Sequence, residues 1–519
     1  MKNIRLRFAP SPTGYMHIGN LKMVLLDYII AKKLNGDLLL RIEDTDQKRE
    51  VEGATQKLIE ILNWIGIKFD EGPHIGGDFG PYIQSERQKI YDQYMQELLD
   101  KGHAYKCFCS EERLSKLREV QQNQKLAPKY DRACRDLDDD QIAQLIADGE
   151  KYVIRQKMPL AGEIIVFDEL RGEIKFKAED LEDQVLVKSN GIPTYHFASV
   201  VDDHLMQISH IVRGDEWLPS FPKNILLYKS FGWEAPKFIH APLILNKKGG
   251  KLSKRDGDVT VEAYRDNGYL PEALINFLVL LGWSPYAKAS GDKTQIEKKQ
   301  EILSLNEIIE KFDYKDLGIS GGIFDFEKLD FFNGYYIRLK SLDELTDLCL
   351  PYLVRAKFIA ESQKSKVKSQ NDNVKFKNLF TGKEISLEFI QKVVGLEQER
   401  LKKLSEISDL TRFFFVENLE YDKMLLTWKE LSFSEIKENL ELMFKQIESV
   451  EEENWNLDFI QNKIITHIKE IGGKNGDYLW PLRVALTGEK ASPSPFEVAD
   501  ALGKDTSLSR IKEAIKKLS

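Results

Sequence analysis

Cysteine is scarce in this chain, with four among 519 residues, so no disulfide framework holds it together. Long apolar runs are missing too. The best stretch, 274–283, falls well short of the ~18 to 20 residues that cross a bilayer, and no membrane contact is expected. Basic residues near the start are followed by no apolar segment, which predicts a cytoplasmic protein without a secretory leader. A positive excess is also absent: 75 cations against 83 anions leave a net charge of −8, which argues against a chain coated in nucleic acid but leaves room for a local basic face. No internal repeat and no coiled-coil heptads appear, and a monomer is expected. What is present, 42% apolar and 30% charged residues, is ordinary globular composition, and at ~150 residues per domain it suggests three or four domains.

The first 45 residues or so read as a βαβ unit. A strand at 4–9 stops at Pro10-Ser11-Pro12-Thr13-Gly14. Leu21, Val24, Leu25, Tyr28 and Ile29 then recur with helical spacing, with Gly36 as the expected C-cap, and 38–42 is a near-continuous apolar strand. This order predicts an α/β fold with a doubly wound parallel, Rossmann-type sheet. Charged helical patches at 111–124 and 138–150, with strands at 152–157, 163–167 and 173–176, suggest an inserted α+β domain. Parallel strands are expected to resume at 185–187, 194–201 and 210–213, and the last third reads as all-helical. The expected organisation is 1–109 (first half of the parallel sheet), 110–188 (insert), 189–235 (second half), 236–328 (a region carrying a basic loop) and 329–519 (helical, in two subdomains).

Two segments carry candidate chemistry. His17-Ile18-Gly19 sits where the first strand turns into a helix, and a helix N-terminus offers unpaired N–H groups and partial positive charge to a phosphate. Read plainly, His17 only caps that helix. Lys247-Lys248-Gly249-Gly250-Lys251-Leu252-Ser253-Lys254-Arg255 is a basic, glycine-containing loop suited to growing negative charge on a polyphosphate, or plainly a solvated charge run.

Together these segments resemble the two signatures of class I aminoacyl-tRNA synthetases. Arg41-Ile42-Glu43-Asp44-Thr45-Asp46 and Tyr195-His196-Phe197-Ala198-Ser199-Val200-Val201-Asp202-Asp203-His204 resemble the glutamyl/glutaminyl branch. The resemblance continues through Arg213-Gly214-Asp215-Glu216-Trp217 to Pro481-Leu482-Arg483, and a helical rather than β-barrel C-terminal region is similar to bacterial-type glutamyl-tRNA synthetases. Asn20, Leu252 and Arg255 depart from the general class pattern, which has His, Met and Ser there.

The resemblance implies ATP-dependent ligation of L-glutamate to the 3′ end of its tRNA through glutamyl-adenylate, releasing AMP and pyrophosphate, with Mg²⁺ arriving on ATP. It implies an insert that binds the tRNA acceptor end and a C-terminal region that reads the anticodon. His17 and Lys254 would contact the ATP phosphates, supported by Lys251 and Arg255, while Gly19, Glu216, Trp217 and Ile244 would line the nucleotide site. Glutamate would meet Arg7, Ala9, Ser11, Glu43, Tyr195, Ser199 and Arg213, at the carboxyl edge of the strands. Ser199 stands where some relatives carry Asn. Read plainly, Glu43 is a surface carboxylate paired with Arg41 or Lys48. Arg412 matches a position where some relatives place an arginine against an anticodon base, and the adjoining 413–415 aromatics read as core. Whether glutamine tRNA is also charged stays open.

Cys107-x-Cys109 and Cys134 make a third constellation, because thiolates favour tetrahedral Zn²⁺. Part of the family carries zinc in the inserted domain through Cys-x-Cys and a later Cys-x-His. Here Asp136 replaces the His, and Tyr130 precedes Cys134 by four residues. Structural zinc with Asp136 or Tyr130 as fourth ligand is one reading, and three thiols without metal is the other.

Overall fold

The computed structural model describes residues 4–12, 14–46, 51, 53–253, 257–284, 301–361 and 375–519. It divides into two compact units, Met1–Arg265 with Pro271–Leu329, and Asp266–Leu270 with Asp330–Ser519.

In the first unit, β1 (Arg5–Phe8) leads through helix α1 (Ile18–Lys33) to β2 (Asp37–Leu40), which lies parallel to β1 with Leu6 opposite Leu38. Leu38, Leu39 and Leu40 have no exposed surface, which is why this strand reads as an unbroken apolar run. Gly36 is not the cap of α1. Leu34 is the C-cap, Asn35 takes the positive φ of 51°, and Gly36 is required by close approach, since a Cβ there would lie 2.4 Å from the Ile4 carbonyl oxygen. Helices α2 (Ala54–Ile65) and α3 (Gln88–Asp100) follow, burying Leu58, Ile61 and Ile65, and Tyr91, Met95 and Leu98.

Next come β3 (Ala104–Cys107), α4 (Glu111–Asn123), α5 (Asp139–Ala147), β4 (Val153–Gln156), β5 (Glu163–Asp168), β6 (Gly172–Lys177) and β7 (Val185–Val187). Strand β4 pairs antiparallel with β3 and β7, so 185–187 belongs to this small sheet and not to the parallel one. The hairpin β5–β6 joins the catalytic sheet instead, through the parallel bridge from Asp168 to Phe238.

Helix α6 (Tyr195–Leu205) replaces the strand expected at 194–201. Every residue from Phe197 to Asp203 is buried, so the helix has no polar face to reveal its period, and a short apolar run is equally strand-like by sequence. Strand β8 (His210–Gly214), helix α7 (Phe221–Phe231) and β9 (Lys237–Ala241) complete a second parallel pair. Ser209 N donates to the Arg5 carbonyl at 2.9 Å and sets β8 beside β1.

The second unit is helical, as expected, with one addition. Ile359–Glu361, Lys375–Asn378 and Glu384–Ser386 form a three-stranded antiparallel sheet. Its helices include Leu342–Arg355, Ile407–Phe415, Phe433–Glu448 and Lys504–Leu518, and capping boxes from Ser341 to Glu344 and from Ser432 to Glu435 fix two helix starts.

Candidate active site

The carboxyl ends of β1, β2 and β8, with the starts of α1 and α6, enclose a cavity of about 550 Å³. Its walls carry Arg7, Ala9, Ser11, His17, Gly19, Glu43, Tyr195, Arg213, Glu216, Trp217, Ile244 and Lys251, so residues scattered over some 240 positions share one space. Tyr195 reaches it from the first turn of α6 rather than from a strand. Ser199, one turn on, is buried and lies off the cavity wall. Lys254 and Arg255 lie outside the described residues.

His17 does cap α1: its Nδ1 accepts from Gly19 N at 3.0 Å, so a neutral ring carries its proton on Nε2. Capping and phosphate contact are compatible, because the cap engages one ring nitrogen only. The ring of Trp217 lies 4.8 Å from that of Tyr195, and Lys251 Nζ stands 3.4 Å from Glu216 Oε1.

The electrostatics centre on three arginines. Asp203 Oδ1 accepts from Arg7 Nε at 3.0 Å and from Arg41 Nη1 at 2.7 Å, while Arg41 Nη2 donates to Glu43 Oε1 at 3.0 Å. Arg87 and Tyr91 in turn hold Asp202. Burial works against the Asp203 charge, yet Arg41 and Arg7 hold its pKa below the usual carboxylate range. Glu43 shares Arg41 with Asp203, and burial outweighs the pull of Arg41 and Arg7 and lifts it to about 7. It pairs with Arg41 as the plain reading supposes, but it is buried rather than a surface carboxylate; Lys48 lies outside the described residues. Arg213 donates from Nε to His240 Nε2 at 2.9 Å and from Nη1 to Asn224 Oδ1 at 3.1 Å, and its buried Nη2 has no partner.

Sequence reasoning passed over Lys22 and Asp27, both on this wall and both buried in α1. Burial pushes Lys22, which donates to the Pro242 carbonyl at 2.8 Å, down to about 8, and raises Asp27 well above the usual range. The signal was partial: Lys22 and Asp27 stand among the apolar positions Leu21, Val24, Leu25 and Leu26 that the helix buries, whereas Lys33 at its end is exposed.

A second cluster lies in the small sheet. The sulfurs of Cys107, Cys109 and Cys134 lie within 4.8 Å of one another. Tyr130 OH is 3.2 Å from Cys107 Sγ and 3.6 Å from Cys109 Sγ, whereas Asp136 is exposed and outside the group. The Cys134 hydrogen bond, together with that of Tyr130, holds the Cys107 thiol down at about 4. In the second unit, Arg412 is exposed beside the Phe380 ring, and Phe413, Phe414 and Phe415 are buried, as core.

A family model described as the catalytic domain of class I tRNA synthetases (E and Q) matches residues 3–331, and one described as an anticodon binding domain matches 344–515. The glutamate–tRNA ligase of Clostridium tetani is 44% identical over 518 residues, covering 99% of this chain and 98% of that one. Its counterpart from Clostridium botulinum (strain Eklund 17B / Type B) is 43% identical over 521 residues, covering 100% and 99%. A crystal structure of a glutamate tRNA ligase from Elizabethkingia meningosepticum, in complex with its amino acid, is similar with a TM-score of 0.83 at 35% identity, covering both chains fully.

Proposed function

The chain belongs to the class I tRNA synthetases of the glutamate and glutamine branch, and we infer that it is a glutamate–tRNA ligase. Its chemistry is attack of the glutamate α-carboxylate on the α-phosphorus of ATP, which expels pyrophosphate and leaves glutamyl-adenylate, then attack of a ribose hydroxyl at the tRNA 3′ end on the adenylate carbonyl, which releases AMP. Neither step needs a protein nucleophile, so alignment and charge compensation supply the rate.

The observation that carries the substrate assignment is that Glu43 and Arg213 line the same cavity. A buried carboxylate suits the ammonium of an amino acid, and a guanidinium with an open Nη2 suits a side-chain carboxylate. Arg7, Ala9, Ser11 and Tyr195 complete the glutamate site, from whose wall Ser199 is absent. His17 Nε2–H and the start of α1 take the ATP phosphates, with Gly19, Glu216, Trp217 and Ile244 around the nucleotide and the cations Lys251, Lys254 and Arg255 offsetting phosphate charge. Mg²⁺ travels with ATP and neutralises phosphate charge.

The three sulfurs form a soft donor set that suits structural Zn²⁺, with a thiol already disposed to ionise and Tyr130 OH beside them as the fourth donor. Residues 110–188 take the acceptor end and 329–519 the anticodon arm, with Arg412 toward a base; the enzyme works as a cytoplasmic monomer. No described helix is long and apolar enough to cross a membrane.

The test is charging of purified glutamate and glutamine tRNAs side by side, with pyrophosphate exchange measured with and without tRNA. Glutamate attachment is expected, and Lys254→Ala should slow activation far more than it weakens ATP binding, because the charge Lys254 meets grows in the transition state. Failure to charge either tRNA would overturn the assignment.

A further inference from the structure

Arg213 differs from the other two buried arginines of the site in what it faces. Arg7 and Arg41 donate to the carboxylates of Asp203 and Glu43, which compensate their charge. Arg213 donates only to neutral acceptors, the His240 imidazole and the Asn224 amide, and no carboxylate lies within ion-pair distance of it among the described residues. Its guanidinium therefore keeps a whole positive charge, with Nη2 left open.

His240 Nε2 can accept only if the ring proton is on Nδ1. The surroundings impose that tautomer. Nδ1 lies 2.8 Å from Asp168 Oδ2, which also accepts from His240 N at 3.0 Å. The other oxygen, Oδ1, accepts from the backbone N–H of Leu170 and of Arg171, at 3.0 and 2.9 Å, so the Asp168 carboxylate cannot turn away. Asp168 and His240 have no exposed surface, and the His240 ring packs on Phe221. Arg171 donates to the His240 carbonyl, adding a second cation that disfavours an imidazolium here.

We propose that His240, locked by Asp168, is the positioning residue for Arg213 and through it a determinant of selection for a side-chain carboxylate over a carboxamide. A carboxylate in place of His240 would hold the guanidinium as firmly, but would cancel the charge that the substrate carboxylate needs to find. A neutral acceptor orients the fork and leaves its charge intact. The proposal rests on the reading that Arg213 meets the substrate side chain.

The experiment is steady-state aminoacylation by the full chain carrying His240→Phe, His240→Asn or His240→Gln, with Arg213→Gln as reference. Phe keeps the ring without an acceptor, and Asn keeps a donor toward Asp168 but does not reach Arg213. Gln extends an amide oxygen toward the Nε2 position. The Phe and Asn variants should raise the glutamate KM about ten- to hundredfold, as loss of a hydrogen bond to a charged group predicts. They should narrow the preference for glutamate over glutamine while leaving the ATP KM within about twofold. His240→Gln should recover most of both losses. If Arg213→Gln raises the glutamate KM and His240→Asn does not, or if Gln recovers no more than Asn, the positioning role is wrong. If Arg213→Gln itself leaves the glutamate KM unchanged, the underlying site assignment falls instead.

Discussion

Arg41 has no exposed surface and bonds Asp203 through Nη1 at 2.7 Å, joining the strand that ends in the second segment of the active site to a helix more than 160 residues later. The same guanidinium bonds Glu43, so the carboxylate we assign to the substrate ammonium is held by a cation whose stronger partner is elsewhere. Strain on this cluster should be read out in both stability and binding.

Removing the shared charge tests the stability side. Asp203→Asn leaves Arg7 and Arg41 buried without their common counter-ion, and should cost about 3 to 5 kcal/mol in denaturant unfolding. Since the native Asp203 pKa is depressed, its stabilising contribution is full above the unfolded value of about 3.9 and disappears as pH falls through the lower native value. Unfolding curves of wild type and variant should therefore converge in acid; a constant gap down to the lowest pH would contradict this.

Glu43 gives the binding side. Held near about 7 by burial, it is largely protonated in the free enzyme below that pH and ionised above it. The glutamate kcat/KM should rise as pH increases from about 6 to 8, by up to about tenfold, and level off beyond. Glu43→Gln should lower kcat/KM about ten- to hundredfold and flatten the profile. A profile unchanged in the variant would remove Glu43 from ammonium binding.

Glutamate and glutamine are nearly isosteric, so shape cannot separate them. A guanidinium meets the NH₂ of glutamine donor to donor, and sites of this kind discriminate by as much as ~10⁴ to 10⁵. Arg213→Gln should reduce the glutamate-to-glutamine ratio of kcat/KM by at least about a hundredfold. An unaltered ratio would show that selectivity arises elsewhere.

Elemental analysis of protein purified without a metal-affinity tag should find close to one zinc per chain, bound by Cys107, Cys109, Cys134 and Tyr130. Tyr130→Phe should weaken retention against a chelator by at least about tenfold, and Asp136→Ala should not. A metal-free wild type, or sensitivity to Asp136 alone, would refute the donor set.

Arg412 is exposed on a helix whose other aromatic residues are core, so its substitution tests recognition without disturbing packing. Arg412→Gln should relax discrimination at one anticodon base by about 1 to 3 kcal/mol in kcat/KM while leaving tRNA affinity nearly intact. Equal effects on every anticodon variant would reduce Arg412 to a phosphate contact.

By itself the sequence determined the βαβ start, the turn at His17 that opens α1 and the helical C-terminal region, because each is written locally, in turn residues and hydrophobic period. It also named most of the cavity wall through segments that keep their order in the chain. Tertiary structure decided the rest. Residues 195–205 form a helix that the sequence did not reveal, because Phe197 to Asp203 are all buried and the periodicity that distinguishes helix from strand is lost. Residues 185–187 pair antiparallel with β4, a choice of partner that no local pattern encodes. Tyr130 rather than Asp136 lies against the thiols because helix α4 and the loop after it return the chain across 23 residues to Cys107. The charge left on Arg213, compensated on Arg7 and Arg41, depends on which acceptors the sheet carries to each guanidinium: a carboxylate from α6 for two of them, an imidazole from β9 for the third. Identical side chains thus acquire different chemistry from their neighbours, and neighbours distant in sequence are fixed only by the fold.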